Sequence, residues 1–248
     1  MRLVEIICGE HTSDTTLAKA FDYVQQINKT PIVVADSLGF FTSRVFATPL
    51  SEASQLLAEG VHPDRIDNLG KAIGMPVGPL ASYDEVSQRL SVEIRETQID
   101  MGLRDANDDP TPQGTALVNS LVKDDNRGGR HHGGGFYQYS DTGKQIWPTL
   151  VERYYRPETD TSISDQAIKD RLLFRPVIES LRCLEEGVLK SAADGNIGSL
   201  LGIGAPTWTG GYIQFVETYG RERFEVRCEE LAEAYGERFL VAEVVSAA

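Results

Sequence analysis

The sequence predicts a mainly α-helical protein with two tandem, related helical domains, a small β-α-β segment before them and one β-hairpin. Three observations predict this class: two strand-like stretches that flank a helical one near the start, long stretches with apolar residues at helical spacing, and an internal repeat. We therefore divide the chain into residues 1–35 for the β-α-β segment, 36–150 for the first helical domain and 163–248 for the second.

The β-α-β segment begins with "LVEIIC" at residues 3–8, a run of apolar, strand-favouring residues that Glu5 interrupts. A stretch with a helical apolar stripe follows, and Ser13 or Thr12 can cap its start. "TPIVVAD" then predicts a second buried strand. Because two strands alone make a poor sheet, we interpret this segment as the remnant edge of a larger sheet.

The internal repeat supports two related helical domains. "RVFATPLSEASQLLAEG" at 44–60 aligns without gaps with "RLLFRPVIESLRCLEEG" at 171–187. The identical pairs are Arg44/Arg171, Pro49/Pro176, Glu52/Glu179, Leu57/Leu184, Glu59/Glu186 and Gly60/Gly187. Residues 72–86 and 202–216 then share Ile-Gly-x-Pro. The alternative is a chance alignment of two amphipathic helices, but a proline at the same place inside two apolar helices argues against it.

The remaining stretches complete the predicted layout. Residues 79–102 predict one long helix, and residues 103–135, rich in Asp, Asn, Gly and Pro, predict loop with a helix near "GTALVNSLVKD". "GFYQYSDTGKQIWP" predicts a β-hairpin that turns at residues 141–143. The polar residues 151–164 predict a linker.

The composition excludes several classes of protein. A net charge of −13 argues against nucleic acid and anionic membranes as partners. No apolar run reaches the ~20 residues that membrane insertion needs, and no signal peptide precedes the first strand, so we expect a cytoplasmic protein. Cys8, Cys183 and Cys228 form no CxxC pair, which favours reduced thiols over a disulfide framework or a zinc site.

Two stretches resemble a dinucleotide-binding motif and a metal-binding motif, but neither meets the requirements of its motif. "GSLLGIGAPTWTGG" does not fit the dinucleotide fingerprint G-x-G-x-x-G and has no strand before it, so we predict no cofactor-binding residues. His131 and His132 lie in a Gly-rich stretch with no third ligand at a suitable spacing, so we predict no metal site.

Glu5 is a stronger candidate for a functional residue, because a lone carboxylate in an apolar strand needs a partner. It either faces solvent or an arginine, or it orients a catalytic histidine, for which no histidine is placed here.

Several segments together resemble a known family. "LVEIICGEHTSDTTLAKAF", "KTPIVVADSLGFFTSRVF", "IGMPVGPL", "GGGFYQY" and "GIGAPTWTGG" occur in order along nearly all of the chain. They resemble the 3-hydroxyacyl-CoA dehydrogenases, in particular the large α subunit of the bacterial fatty-acid oxidation multienzyme, whose helical domain is doubled. The resemblance implies helical domains like the C-terminal domain of 6-phosphogluconate dehydrogenase.

The resemblance also implies roles for three residues. Glu5 matches the glutamate that holds the catalytic histidine of the family, and that histidine lies in a segment that this chain does not encode. Ser43 stands where the family commonly has a substrate-contacting Asn, and Leu201 stands where the family can have a Tyr. "MPVGPL" at 75–80 matches the floor of the acyl-CoA cleft.

The function implied by the resemblance is the C-terminal portion of an NAD-dependent L-3-hydroxyacyl-CoA dehydrogenase. The portion forms the acyl-CoA cleft and subunit contacts, and we expect it to be inactive alone. NAD belongs to the full-length enzyme and its missing or separate Rossmann domain, and the chain is expected to be a homo-oligomer. Two alternatives stay open: a free-standing, non-catalytic helical assembly module, and the helical domain of a different dehydrogenase, such as one acting on sugar acids.

Overall fold

The computed structural model describes residues 2–241. Helices account for 62% of the described residues, with a few short strands, which confirms the predicted mainly α fold class. None of the helices formed by the described residues is long and apolar enough to cross a bilayer. The last seven residues of the predicted second helical domain, 242–248, lie outside the described part.

The secondary structure follows the chain in this order. The strands are β1 Leu3–Cys8, β2 Thr30–Ala35, β3 Tyr137–Ser140 and β4 Gly143–Ile146. The helices are α1 Asp14–Gln26, α2 Thr42–Glu59, α3 Pro63–Ala72, α4 Pro79–Val86, α5 Gln88–Asp100, α6 Pro112–Lys123, α7 Pro148–Tyr154, α8 Pro157–Ser162, α9 Asp165–Glu185, α10 Ala192–Gly202, α11 Tyr212–Tyr219 and α12 Arg221–Tyr235. Short 3₁₀ turns span Thr207–Thr209 and Glu237–Phe239.

The chain forms two compact units that do not coincide with the predicted domains. The first unit comprises residues 1–48 and 173–248, and the second comprises residues 49–172. Helix α2 therefore begins in the first unit and ends in the second, whereas α9 begins in the second and ends in the first. The sequence-based domain boundaries describe the repeat, and they stay a prediction.

The first unit contains the predicted β-α-β segment. Strands β1 and β2 pair in parallel, from Leu3 opposite Thr30 to Cys8 opposite Ala35. Ser13 caps α1, since its Oγ accepts from the amide of Thr16 at 3.2 Å. Strand β1 is not buried along its whole length, since Ile7 is 41% exposed.

Glycines on α10 allow this helix to approach the two-stranded sheet closely. A Cβ at Gly198 would lie 2.7 Å from Phe41 and 2.8 Å from Ile32, and a Cβ at Gly202 would lie 2.5 Å from Leu3. Such distances are shorter than normal packing allows, so only glycine fits at both positions. The sheet is thereby held against α10 and the residues at the start of α2.

The second unit is built around two buried carboxylates. Asp67 on α3 accepts hydrogen bonds from the amides of Leu80 and Ala81, which open α4, and from the hydroxyl of Tyr137. Asp84 on α4 accepts from the first residues of the predicted hairpin, β3–β4, which the structure contains. Burial raises the pKa of both carboxyl groups. The start of α4 and the start of the hairpin are thus joined to α3 and α4 through the oxygens of these two carboxyl groups.

The structure corrects two of the predicted element assignments. The helix predicted over 79–102 breaks at Ser87, whose φ of +81° is outside the helical region, and α4 and α5 are separate helices. The predicted linker 151–164 overlaps α7 and contains α8. Both helices have proline near their first position, Pro148 and Pro157, where the missing N–H costs no intrahelical bond.

Helix α2 is continuous through its internal proline. Pro49 cannot donate to the carbonyl of Val45, which lies four residues earlier. The hydroxyl of Thr48 donates to that carbonyl at 2.8 Å instead. The buried acceptor is therefore satisfied from within the same turn of the helix.

Candidate functional site

The carboxylate of Glu5 lies at the N-terminus of helix α2, within the first unit. Its Oε1 accepts from the backbone amides of Phe41 at 3.1 Å and Thr42 at 2.9 Å. The hydroxyl of Thr42 donates to the other oxygen, Oε2. The start of a helix carries unsatisfied N–H groups and the positive end of the helix dipole, so this position suits a group with acceptor oxygens.

Within the described residues, the hydrogen bonds of Glu5 come from the start of α2 and not from an arginine. Arg44, two residues further along α2, binds Glu186 and Glu179 instead. A carboxylate offers about four acceptor positions, and the amide of Phe41 together with the amide and hydroxyl of Thr42 occupies three of them. Glu5 is held in one orientation and keeps acceptor capacity on Oε2.

The other two predicted site residues lie on elements that meet at the start of α2. Ser43 is the second residue of α2 and is exposed. Leu201 lies near the end of α10 and is half-buried, and the adjacent Gly202 faces Leu3 and Thr42. Within residues 2–241, neither Ser43 nor Leu201 donates a hydrogen bond to Glu5. The structure therefore brings the three elements together without a hydrogen bond from either residue to the carboxylate.

A cysteine with an unreactive thiol lies near this site. Cys183 on α9 is buried, and burial raises the pKa of its thiol to about 12. A thiol with so high a pKa stays protonated at neutral pH and is a poor nucleophile. Arg44 and its glutamates therefore provide structural ion pairs here, with no activated sulfur beside them.

Sequence reasoning missed Thr42 and the amides beside it. The signal was available only in part: the turn "SLGFF" precedes a helical pattern, but the first residue of a helix cannot be set to better than a few residues from a pattern. Because the helix begins at Thr42, the hydroxyl and amide of this residue both point at the strand residue Glu5.

The residues present do not fit the pyrophosphate of a dinucleotide. The connection from β1 to α1 contains one glycine, Gly9, followed by Glu10, and Asp14 occupies the first turn of α1. Carboxylates at this helix N-terminus repel a phosphate where the dinucleotide motif has glycine and free amides. Across residues 2–241, no group of three or more His, Cys, Asp or Glu side chains is arranged to hold a metal ion.

Comparisons with known proteins identify the family. Residues 1–37 match the NAD binding domain of 3-hydroxyacyl-CoA dehydrogenase, and residues 39–139 match the C-terminal domain of 3-hydroxyacyl-CoA dehydrogenase. The fatty acid oxidation complex subunit alpha of Vibrio cholerae serotype O1 is 35% identical over 240 residues, which cover 96% of this chain and 33% of that subunit. The chain belongs to the 3-hydroxyacyl-CoA dehydrogenase family. It spans about a third of the length of the curated relatives it matches.

Solved structures share the fold. The 3-hydroxybutyryl-CoA dehydrogenase of Escherichia coli K12 superposes with a TM-score of 0.75 at 20% identity, over 99% of this chain and 67% of that chain. The dehydrogenase part of multifunctional enzyme 1 from C. elegans superposes with a TM-score of 0.68 at 26% identity, over 100% of this chain and 56% of that chain. These likenesses agree with the predicted helical architecture.

Proposed function

We propose that the chain acts as the C-terminal portion of an NAD-dependent L-3-hydroxyacyl-CoA dehydrogenase of fatty-acid β-oxidation. In this role it contributes to the acyl-CoA cleft and to subunit contacts, and it is inactive by itself. The observation that carries the proposal is the placement of Glu5, whose carboxylate is fixed by the amides of Phe41 and Thr42 and the Thr42 hydroxyl. A carboxylate held in this way can orient a second group.

The second group is an imidazole from a segment outside this chain. The remaining acceptor position on Oε2 of Glu5 suits an imidazole N–H, and the negative charge stabilises the imidazolium that forms when the ring takes a proton. In a dehydrogenase, that proton comes from the substrate 3-hydroxyl. The hydroxyl and amide of Thr42 and the amide of Phe41 keep the carboxylate aligned while the imidazole changes charge.

Ser43 and Leu201 are proposed to face the acyl-CoA substrate. Ser43 is exposed on the first turn of α2, next to Thr42, and its hydroxyl can donate to a thioester or 3-oxo oxygen. Leu201 offers only an apolar contact, so a substrate group that it meets must be hydrocarbon. Ser43→Asn tests this assignment, since an amide reaches further than a hydroxyl and should lower the KM for acyl-CoA.

NAD is proposed to bind to a Rossmann domain supplied from outside this chain. The acidic β1–α1 connection, with Glu10 and Asp14, speaks against dinucleotide binding by the chain alone. The partners are thus an acyl-CoA substrate and the remainder of the NAD-binding domain. A homo-oligomer in the cytoplasm completes the proposed assembly.

The test is an NADH-coupled assay with acetoacetyl-CoA. The isolated chain should show no turnover above background, since it lacks the base and the oxidant. Co-expression with the NAD-binding segment of the Vibrio cholerae subunit should restore NADH consumption. In that complex, Glu5→Gln should lower kcat about 10²-fold or more, within the range of general-base effects.

The matched control is Glu10→Gln, which changes an exposed carboxylate in the turn after the same strand. It should leave kcat unchanged. Turnover by the isolated chain, or equal effects of the two substitutions in the complex, would contradict the proposal. A complex that forms but never turns over would favour the non-catalytic assembly module.

A further inference from the structure

Arg44 is the third residue of α2, at the end of the helix where the helix dipole disfavours a positive charge. The first turn of α2 contains no acidic residue of its own. Carboxylates reach this helix end from two other elements instead: Glu5 comes from β1, and Glu179 and Glu186 come from α9. The position of Arg44 is therefore explained by its partners on α9 and not by the preferences of its own helix.

The guanidinium of Arg44 bridges the two glutamates of α9. Its Nε donates to Glu179, its Nη1 donates to Oε2 of Glu186, and its Nη2 donates to Oε1 of Glu186 at 2.9 Å. Glu179 and Glu186 are seven residues apart, which places them two turns apart on nearly the same side of α9. A planar fork that donates to both glutamates restrains the arginine, and with it the first turn of α2, more than a single ion pair would.

The ion pair between Arg44 and Glu179 is largely shielded from water. The side chains of Arg44 and Glu179 are 21% and 10% exposed. Arg182, three residues further along α9, lies 3.3 Å from the other oxygen of Glu179 and restrains this carboxylate from a second side. Salt screens a partly buried pair of this kind less than an exposed pair, so the connection between α2 and α9 persists at ordinary ionic strength.

The turn that leads into α2 has a strained backbone. Gly39 and Phe40 have φ of +79° and +50°, and a positive φ is unfavourable for a phenylalanine. Such a conformation persists only where the surrounding structure imposes it. The next two residues, Phe41 and Thr42, supply the amides that bind Glu5. Relaxation of the turn would therefore direct these amides away from the carboxylate.

Both ends of this turn are held by α9 and the residues that follow α9. At the entry, the amide of Ala35 donates to the carbonyl of Val188 at 2.9 Å, and Val34 forms an antiparallel bridge with Leu189. At the exit, the side chain of Arg44 binds α9. The entry is fixed through the backbone and the exit through a side chain, so a substitution can release the exit alone.

We infer that Arg44 is a positioning residue for Glu5: by tying the start of α2 to α9, it keeps two backbone amides aimed at the carboxylate. Without Arg44 the first turn of α2 loosens, Glu5 loses its fixed orientation, and the imidazole that Glu5 holds is misplaced. The effect on catalysis rests on the proposed function, whereas the hold on the two amides does not.

The internal repeat provides a matched control. Arg171 makes the same kind of bridge to Glu52 and Glu59, but it belongs to the second unit. Glu52 is ten residues beyond Thr42, which is about 15 Å along the axis of α2. Arg171→Met therefore removes an equivalent set of ion pairs without touching the first turn of α2.

Amide hydrogen exchange on the isolated chain tests the hold on the turn. In Arg44→Met, the amides of Phe41 and Thr42 should exchange at least about tenfold faster than in the wild type. Their rates are divided by that of the Phe215 amide, which is hydrogen-bonded in α11 of the same unit and reports on general loss of structure. In Arg171→Met this ratio should stay at the wild-type value. An unchanged ratio in Arg44→Met overturns the inference.

A double-mutant cycle in the reconstituted complex tests whether Arg44 acts through Glu5. Arg44→Met alone should lower kcat about tenfold and leave the KM for acetoacetyl-CoA within about twofold of the wild type. In a Glu5→Gln background the same substitution should have little further effect, because the carboxylate that Arg44 positions is gone. Equal effects of Arg44→Met in the two backgrounds overturn the inference, since a general loss of structure does not depend on Glu5.

Glu186→Gln is the milder variant to use if Arg44→Met does not fold, and Glu59→Gln, at the equivalent position of the other repeat, is its control. Glu186→Gln should show the same pattern at about threefold, and Glu59→Gln should not show it. A wild-type complex without turnover would contradict the proposed function, and the exchange comparison would then decide the role of Arg44 by itself.

Discussion

The guanidinium of Arg171 donates from Nε to Oε1 of Glu52 at 2.7 Å, and both side chains are fully buried. Arg171 also binds Glu59, so the arginine of the second repeat pairs with both repeated glutamates of the first. In the same way, Arg44 of the first repeat pairs with Glu179 and Glu186, the repeated glutamates of the second. The repeats thus exchange partners, and each set of three side chains lies within one compact unit.

The first prediction compares the two arginines. Arg171→Ala should lower the free energy of unfolding by about 3–5 kcal/mol, because it leaves Glu52 buried without this arginine. Arg44→Ala should cost less, about 1–2 kcal/mol, because water reaches Glu186, whose side chain is 49% exposed. Urea unfolding followed by circular dichroism measures both values. Equal costs at the two repeat positions would show that burial does not control the strength of these pairs.

The second prediction concerns acid. The hydrogen bond from Arg44 holds the pKa of the Glu186 carboxyl below its ordinary value. A lowered folded-state pKa contributes stability that is present above the unfolded-state pKa of about 4.3 and is lost as pH falls through the folded-state value. Glu186→Gln should therefore destabilise at pH 7 by no more than ~1 kcal/mol, and the difference should shrink on acidification.

The control for this pH effect is the same substitution in an Arg44→Ala background. There the main partner that lowers the pKa is gone and only the weaker influence of Arg182 is left, so the pH dependence of the Glu186→Gln difference should become much smaller. Unfolding curves at several pH values between about 3 and 7 make the comparison. A pH-dependent difference that survives the loss of Arg44 undiminished would assign the effect to another group.

The third prediction concerns the buried carboxylate of Asp84. Its oxygens accept from the amides of Phe136 and Tyr137, each at 2.9 Å, and from the hydroxyl of Tyr139 at 3.0 Å. Asp84→Asn turns one oxygen into an NH₂ group that faces donors, and we expect a loss of about 1–3 kcal/mol. Glu85→Gln, which alters an exposed ion pair next to it, should cost under ~1 kcal/mol.

Hydrogen exchange of the Phe136 and Tyr137 amides provides a local readout for Asp84→Asn. Both amides should exchange faster in the variant than in the wild type, because the acceptor that covers them is weakened. Unchanged protection would mean that the hairpin is held by other contacts.

The fourth prediction concerns Thr42 as a support for Glu5. Thr42→Val removes the hydroxyl that donates to Oε2 but keeps the shape of the side chain. A hydrogen bond to a charged group contributes about 1.5–3 kcal/mol, so unfolding should become easier by an amount in that range. Thr42→Ser retains the hydroxyl and should stay close to the wild type. If valine and serine behave alike, the two backbone amides suffice to hold the carboxylate.

Much of the fold could be predicted because its signals are local. Runs of apolar, strand-favouring residues predicted β1 and β2, and apolar residues at helical spacing predicted α1, α2, α6 and α9. The break at Ser87 could not be predicted, since a positive φ on a serine is imposed by its surroundings: its hydroxyl donates to the carbonyl of Gly128, far away in the sequence. Pro148 and Pro157 stand at the starts of α7 and α8, where proline is common. The polar composition of residues 151–164 nevertheless led to the prediction of a linker.

The candidate site was predictable only in part. Glu5 stood out because a carboxylate in an apolar strand needs a partner, and its partner is the start of a helix 36 and 37 residues away in the sequence. No pattern in the sequence states which helix end meets which strand. The roles of Ser43 and Leu201 come from the family resemblance alone, and they stay predictions.

Helices α2 and α9 each cross from one compact unit to the other, and this limits how the molecule can be divided. A cut between the units severs both helices in mid-course, and a cut between the sequence repeats separates each arginine from its glutamates. Neither half is therefore a natural fragment for expression. We expect the units to melt together, in one calorimetric transition.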